Sequence, residues 1–139
     1  MTVRIKYDFI LIKFISMFES LTRASVKDCF MQDDRIVFIV RENQIGLALG
    51  KGGSNIRRLE GVFKKKIKIA EFSPDLLQFI RNLEYPLEIK EITEKEGIVT
   101  ITPPDSRTRG YLIGRAAVNL RNVEEIVKRY FEVKSIRVI

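Results

Sequence analysis

At 139 residues the chain has room for one ordinary domain or two small ones, and 45% apolar residues suffice for a core, which excludes a disordered tail. Lys and Arg outnumber Asp and Glu by 25 to 18, for a formal charge of +7. The single cysteine, Cys29, excludes an internal disulfide, and the absence of histidine removes the commonest general base and transition-metal ligand, which weighs against an enzyme.

Phe9-Ile10-Leu11-Ile12 follows Arg4 and Lys6, as the apolar part of a signal peptide would. Asp8, Lys13 and Glu19 interrupt it, and no small-residue cleavage site follows. It is also too short and too charged to span a membrane. Tyr7, Ile10, Leu11, Phe14, Phe18 and Leu21 fall instead on one helical face, which predicts an amphipathic core helix over 7–21. A strand is expected over 25–31, with Cys29 as a small buried side chain, suited to a reducing cytoplasm. Asp33-Asp34 is a turn. The strand at 35–41 contains the unbroken apolar run 36–40, the pattern of a strand covered on both faces. A short helix over 43–49 breaks at Gly50-Lys51-Gly52-Gly53. A second helix starts at Ser54, with Ile56, Leu59 and Phe63 spaced i, i+3, i+7, and Gly61 weakens its end. The strand 66–71 has Ile67 and Ile69 on one side.

Ser73-Pro74-Asp75 marks an internal boundary, with Ser73 read as a helix cap and Pro74 in the first turn. After it the same order returns. A helix over 75–83 ends at Tyr85-Pro86. Strands at 87–93 and 97–102 flank a turn at 94–96. After Pro103-Pro104-Asp105 comes a short helix at 106–113, broken at Gly114-Arg115-Ala116-Ala117. A longer helix runs to Phe131, carrying Leu120, Val123, Val127 and Tyr130 on its face, and a last strand covers 134–138. The halves align without gaps at their centres. Gly46 and Gly50 match Gly110 and Gly114, Leu49 matches Ile113, Ile56 matches Leu120, and Arg57 matches Arg121. Each half reads helix, strand, strand, helix, helix, strand, so the chain is a duplication.

The charge follows the duplication. Residues 44–59 hold no acid but carry Lys51, Arg57 and Arg58; residues 107–123 hold none but carry Arg107, Arg109, Arg115 and Arg121. Two such windows predict two places for a polyanion; the plain alternative is two solvated basic faces. Each window surrounds a tight bend between helices. Glycine there admits a close ligand and tolerates positive φ. The helix that follows opens with free N–H groups and the positive end of its dipole, both favourable to phosphate.

The run Leu49-Gly50-Lys51-Gly52-Gly53-Ser54-Asn55-Ile56 resembles the KH signature I-G-x-x-G-x-x-I, and the element order resembles that of type II KH domains. The resemblance covers nearly the whole chain. It implies an α+β fold of two tandem type II KH domains, residues 1–72 and 73–139, each a three-stranded sheet packed against three helices. KH loops of this kind clamp the backbone of about four nucleotides. By that resemblance Gly50, Lys51, Gly52 and Gly53 take the backbone contact. Leu49, Ile56 and Ile69 line the groove for bases, or are simple core packing. Arg57 extends the positive edge, and Arg58 reads as a solvated charge. In the second unit the corresponding residues are Gly114, Arg115, Ala116, Ala117 and Arg121. Alanine replaces the closing glycine there and disfavours positive φ, so this bend is expected to be less permissive. It either contacts RNA through Arg115 or belongs to a domain that supports its neighbour.

Among two-KH proteins the chain is similar to the NusA-type transcription termination and antitermination factors in their short archaeal form. That likeness implies single-stranded RNA binding in the regulation of transcription, in the cytoplasm, by a monomer without a cofactor or a membrane partner. RNA polymerase or other transcription factors are the further partners it suggests, although the polymerase-binding and S1 domains of bacterial members have no room here. The rival readings are a protein-interaction or ribonucleoprotein assembly module, a duplex DNA binder and an enzyme. Gly46 to Gly52 does not make a nucleotide-hydrolase loop, because three residues rather than four separate Gly46 and Gly50 and Gly52, not Ser or Thr, follows Lys51.

Overall fold

The unbroken apolar run at 36–40 becomes the middle of a sheet, as its lack of alternation requires. The structure, a computed structural model, describes residues 3–139, with side chains from Asp8 onward. The side chain of Tyr7, expected on the core face of the first helix, lies outside the described residues. The chain divides into two compact units, Met1–Phe72 and Ser73–Ile139.

The first unit runs α1 (Val3–Thr22), β1 (Val26–Gln32), β2 (Arg35–Val40), α2 (Ile45–Leu49), α3 (Ser54–Phe63) and β3 (Lys66–Glu71). The sheet order is β1-β2-β3, with β1 antiparallel to β2 and β2 parallel to β3. The antiparallel pair needs only the Asp33-Asp34 turn. The parallel pair needs a crossover, and α2, the 50–53 bend and α3 are that crossover. Ile36, Phe38 and Val40 meet Phe18, Ala48, Leu59 and Ile67 in the core. The Phe18 and Phe38 rings stack 4.2 Å apart. Leu11, Phe14 and Leu21 of α1 pack there as expected, but Ile10 is 45% exposed. The buried stripe is 11, 14, 18 and 21, and Ile10 lies about 100° around the helix from Leu11, at its margin.

The second unit repeats the order as α4 (Leu76–Glu84), β4 (Glu91–Lys95), β5 (Ile98–Thr102), α5 (Ser106–Ile113), α6 (Val118–Lys128) and β6 (Ser135–Val138). Its sheet, β4-β5-β6, has the same mixed pairing. Four local expectations are corrected. Asp75, not Ser73, holds the cap position of α4, and the Ser73 hydroxyl accepts from the Asp75 N–H (3.1 Å) in the turn ahead, which leaves Pro74 outside the helix. β4 starts at Glu91 rather than 87, because the Leu87 N–H turns back to the Glu84 carbonyl (2.9 Å) and pairing with β5 begins only near Lys90. The hairpin turn is Glu96-Gly97, at φ 53° and 82°, so Glu94 and Lys95 belong to the strand. A two-residue turn with both φ positive matches the twist of the flanking strands. α6 also stops at Lys128, where Arg129 and Tyr130 tighten onto the carbonyls of Ile126 and Val127 (both 3.1 Å). Tyr130 still reaches the core, edge-on to Phe79 at 5.5 Å.

Candidate nucleic-acid interface

α2 and α5 both end in a glycine because the chain must reverse there at a conformation other residues avoid. Gly50 lies at φ 70°, ψ 175° and Gly114 at φ 78°, ψ 170°. This region is open almost solely to glycine. There is also no room for a side chain. A Cβ on Gly50 would stand 2.8 Å from the Asn55 amide, and one on Gly114 would stand 2.9 Å from both the Cβ and the backbone nitrogen of Asn119. After each glycine comes one turn of 3-10 helix, Lys51–Gly53 or Arg115–Ala117, and then α3 or α6.

The middle of the turn obeys a looser rule. Gly52 (φ 63°, ψ 25°) and Gly53 (φ 72°, ψ 18°) are in the left-handed helical region, and a Cβ on either would meet open space. Ala116 (φ 52°, ψ 30°) and Ala117 (φ 61°, ψ 24°) adopt the same conformation. The expectation that alanine would make the second bend differ is therefore corrected. The left-handed region costs an L residue about 1–2 kcal/mol, and the surrounding packing holds both alanines in it.

Two asparagines fasten the helices on either side of the bends. The Asn55 amide donates to the Leu47 carbonyl (3.0 Å), and the Asn119 amide donates to the Leu112 carbonyl (2.9 Å). Each satisfies a carbonyl that the end of α2 or α5 leaves without a helical partner, and so ties the helix before the bend to the helix after it. The second bend has an additional tie from Asn119 to the Glu84 carboxylate (3.1 Å). The first has one from the Arg57 guanidinium to the Gly52 carbonyl (3.2 Å). Behind the bends, the Glu60 carboxylate accepts from the Ile67 N–H (3.0 Å) and the Glu124 carboxylate from the Ile136 N–H (2.9 Å), fastening α3 to β3 and α6 to β6.

The predicted residues gather around this frame. Lys51, Gly52 and Arg57 are exposed, as are Arg115, Ala116 and Arg121; Gly50, Gly53, Gly114 and Ala117 are half-buried. Leu49 and Ile56 are half-buried beside the first bend, whereas Ile69 packs against the core, and Arg58 is exposed. Among the described residues, no side chain caps the 3-10 turns or the helices α3 and α6. Asp105, by contrast, caps α5 at its far end. The Thr108 N–H donates to it (2.6 Å), and that bond holds its carboxyl below the ordinary aspartate value. The Gly53 and Ser54 amides return to the Gly50 and Lys51 carbonyls, and those of Ala117 and Val118 to Gly114 and Arg115, so each bend is closed by its own backbone beside an exposed cation at the positive end of the helix that follows.

The sequence model of the KH domain matches residues 15–74, which include the first bend. A probable transcription termination protein NusA of Methanococcus vannielii is 38% identical over 140 residues, covering 99% of this chain and 81% of the relative. The chain belongs to the archaeal NusA family of KH-domain proteins. A NusA of the same description from Methanocaldococcus jannaschii is 34% identical, over 90% of this chain and 70% of its own. The crystal structure of APE1850 matches with a TM-score of 0.75 and 26% identity, covering 94% of this chain and 99% of that one. The fold is two tandem type II KH domains. What sequence reasoning missed in this NusA-type chain is the bracing: Asn55 with Asn119, and Glu60 with Glu124. The repeat held the signal, because both pairs keep the spacing that matches Gly50 with Gly114.

Proposed function

We propose that this protein binds single-stranded RNA at both bends and acts in transcription termination or antitermination, the role that the names of its relatives carry. Gly50, Lys51, Gly52 and Gly53 form one backbone grip, and Gly114, Arg115, Ala116 and Ala117 the other. Leu49 and Ile56 offer apolar surface to bases, and Arg57 and Arg121 extend the positive edge. The units 1–72 and 73–139 are the two KH domains. The observation that carries the reading is the agreement in backbone between the bends despite their different residues, each leading into a helix beside an exposed cation. The reading is of a monomeric cytoplasmic binding protein and not an enzyme. RNA polymerase or a factor bound to it is the protein partner this role implies. Among the described residues, no helix is long and apolar enough to cross a membrane.

The test is RNA affinity against salt. A single strand held at about four phosphates weakens with a log–log slope near −2.8, or roughly 50-fold between 50 and 200 mM salt. The double variant Lys51→Asp, Arg115→Asp remains folded, since both residues are exposed, and loses most of its affinity. Undiminished binding by that variant would move the RNA site elsewhere. A salt-insensitive complex would favour an apolar protein partner.

A further inference from the structure

α5 carries a feature that the backbone grip does not use. Arg107, Tyr111 and Gly114 are spaced i, i+4, i+7 and so share one face of the helix, running toward the second bend. Tyr111 is 55% exposed, while the next residue, Leu112, is fully buried. The Arg107 guanidinium stands 5.9 Å from the ring centroid, close enough to attract its face and too far to cover it. The residue before Tyr111, Gly110, is exposed, and a Cβ there would meet nothing, so no internal contact calls for its lack of a side chain. A glycine inside a helix costs about 1 kcal/mol against alanine. Here it leaves the approach to the tyrosine ring low and open.

The charges indicate how a strand would lie. Arg107 and Arg109 on α5 and Arg115 just past its end form a run of cations with no acid among them. A phosphate backbone is drawn along this face toward the bend. A backbone held at Gly114–Ala117 therefore has Tyr111, about one helical turn away, within reach of a neighbouring base. In the first unit the matching positions are Asn43 and Leu47. Leu47 is exposed but has no aromatic face, and Asn43 has no charge.

We propose that Tyr111, with Arg107 beside it, is a stacking platform for one nucleobase of the RNA strand held at the second bend, and that the first unit has no counterpart. This rests on the reading of that bend as an RNA grip. Stacking on an aromatic ring tolerates any base but is strongest for purines, so the platform gives the second unit a purine preference. Arg107 lies over the base or the ring edge and adds a cation–π contact.

The probes are single-stranded oligoadenosine, oligouridine and an abasic ribose-phosphate strand of equal length. Tyr111→Ala weakens oligoadenosine binding roughly 5- to 100-fold, the range for losing one stacked base. It weakens oligouridine less, leaves the abasic strand unaffected and keeps the salt slope, because no phosphate contact is lost. Tyr111→Phe retains full affinity. The chain holds no tryptophan, so Tyr111→Trp introduces a single indole, and stacking quenches its fluorescence as oligoadenosine saturates the protein. If Tyr111→Ala leaves oligoadenosine affinity within about twofold, or the indole stays unquenched, while Lys51→Asp and Arg115→Asp still abolish binding, the platform is wrong and the grip stands. If none of these changes weakens binding, the RNA reading falls, and the platform with it.

Discussion

The bend at 50–53 is built from glycine and the bend at 114–117 mostly from alanine, yet their backbones coincide. The difference separates two demands that a run of glycines hides. The first position needs glycine because its conformation and the neighbouring asparagine both exclude a Cβ. The third and fourth positions need only the left-handed region, which alanine reaches at a modest cost when the surroundings enforce it. The enforcement also differs. The alanine bend is tied through Asn119 to Glu84, and the glycine bend through Arg57 to its own carbonyl. One unit thus has a glycine turn braced by a cation at the surface, and the other an alanine turn braced from behind.

The sharpest way to break this comparison is to put alanine where only glycine fits. Gly114→Ala meets backbone atoms of Asn119 as well as an adverse φ, and destabilises the second unit by about 3 kcal/mol or more. Gly50→Ala meets first the end of the Asn55 side chain, which can swing aside, and costs about 2 kcal/mol. Urea unfolding of both variants measures the difference, and equal costs would show that the φ angle alone governs the position. Removing the braces comes next. Asn119→Ala abandons the Leu112 carbonyl and a bond to Glu84 in part-buried surroundings, for about 1–2 kcal/mol, while Asn55→Ala loses one exposed bond, for about 0.5–1 kcal/mol. Amide exchange at the second bend should quicken more in the first variant than exchange at the first bend does in the second. The smallest effect sharpens the comparison. Ala116→Gly relieves the left-handed cost but loosens the unfolded chain, for a net gain of about 0.5–1 kcal/mol. Gly52→Ala should show the reverse change of similar size, and a loss of stability in Ala116→Gly would contradict the account.

The order of elements was legible because apolar residues recur at helical spacing in α1, α3 and α6 and run unbroken through β2. The bends were legible because glycine clusters between helices in register twice. What stayed hidden depends on contacts across the fold. Leu87 and Ile89 alternate as a strand would, but the chain from Tyr85 to Lys90 is spent on turning out of α4. Propensity argued against alanine at positive φ, yet Ala116 and Ala117 both adopt it in the folded unit. The asparagines themselves look like ordinary helix-surface residues, since nothing local reveals that an amide reaches back across the bend to the preceding helix.

The central claim is that the two bends, with Lys51 and Arg115, hold the phosphates of single-stranded RNA. Backbone amide shifts on titration with a single-stranded oligoribonucleotide test it directly. The account predicts that the largest changes fall on Lys51, Gly52, Gly53 and Ser54 and on Arg115, Ala116, Ala117 and Val118. Changes concentrated on α1 or the β1 and β4 edges, with both bends silent at saturation, would contradict it.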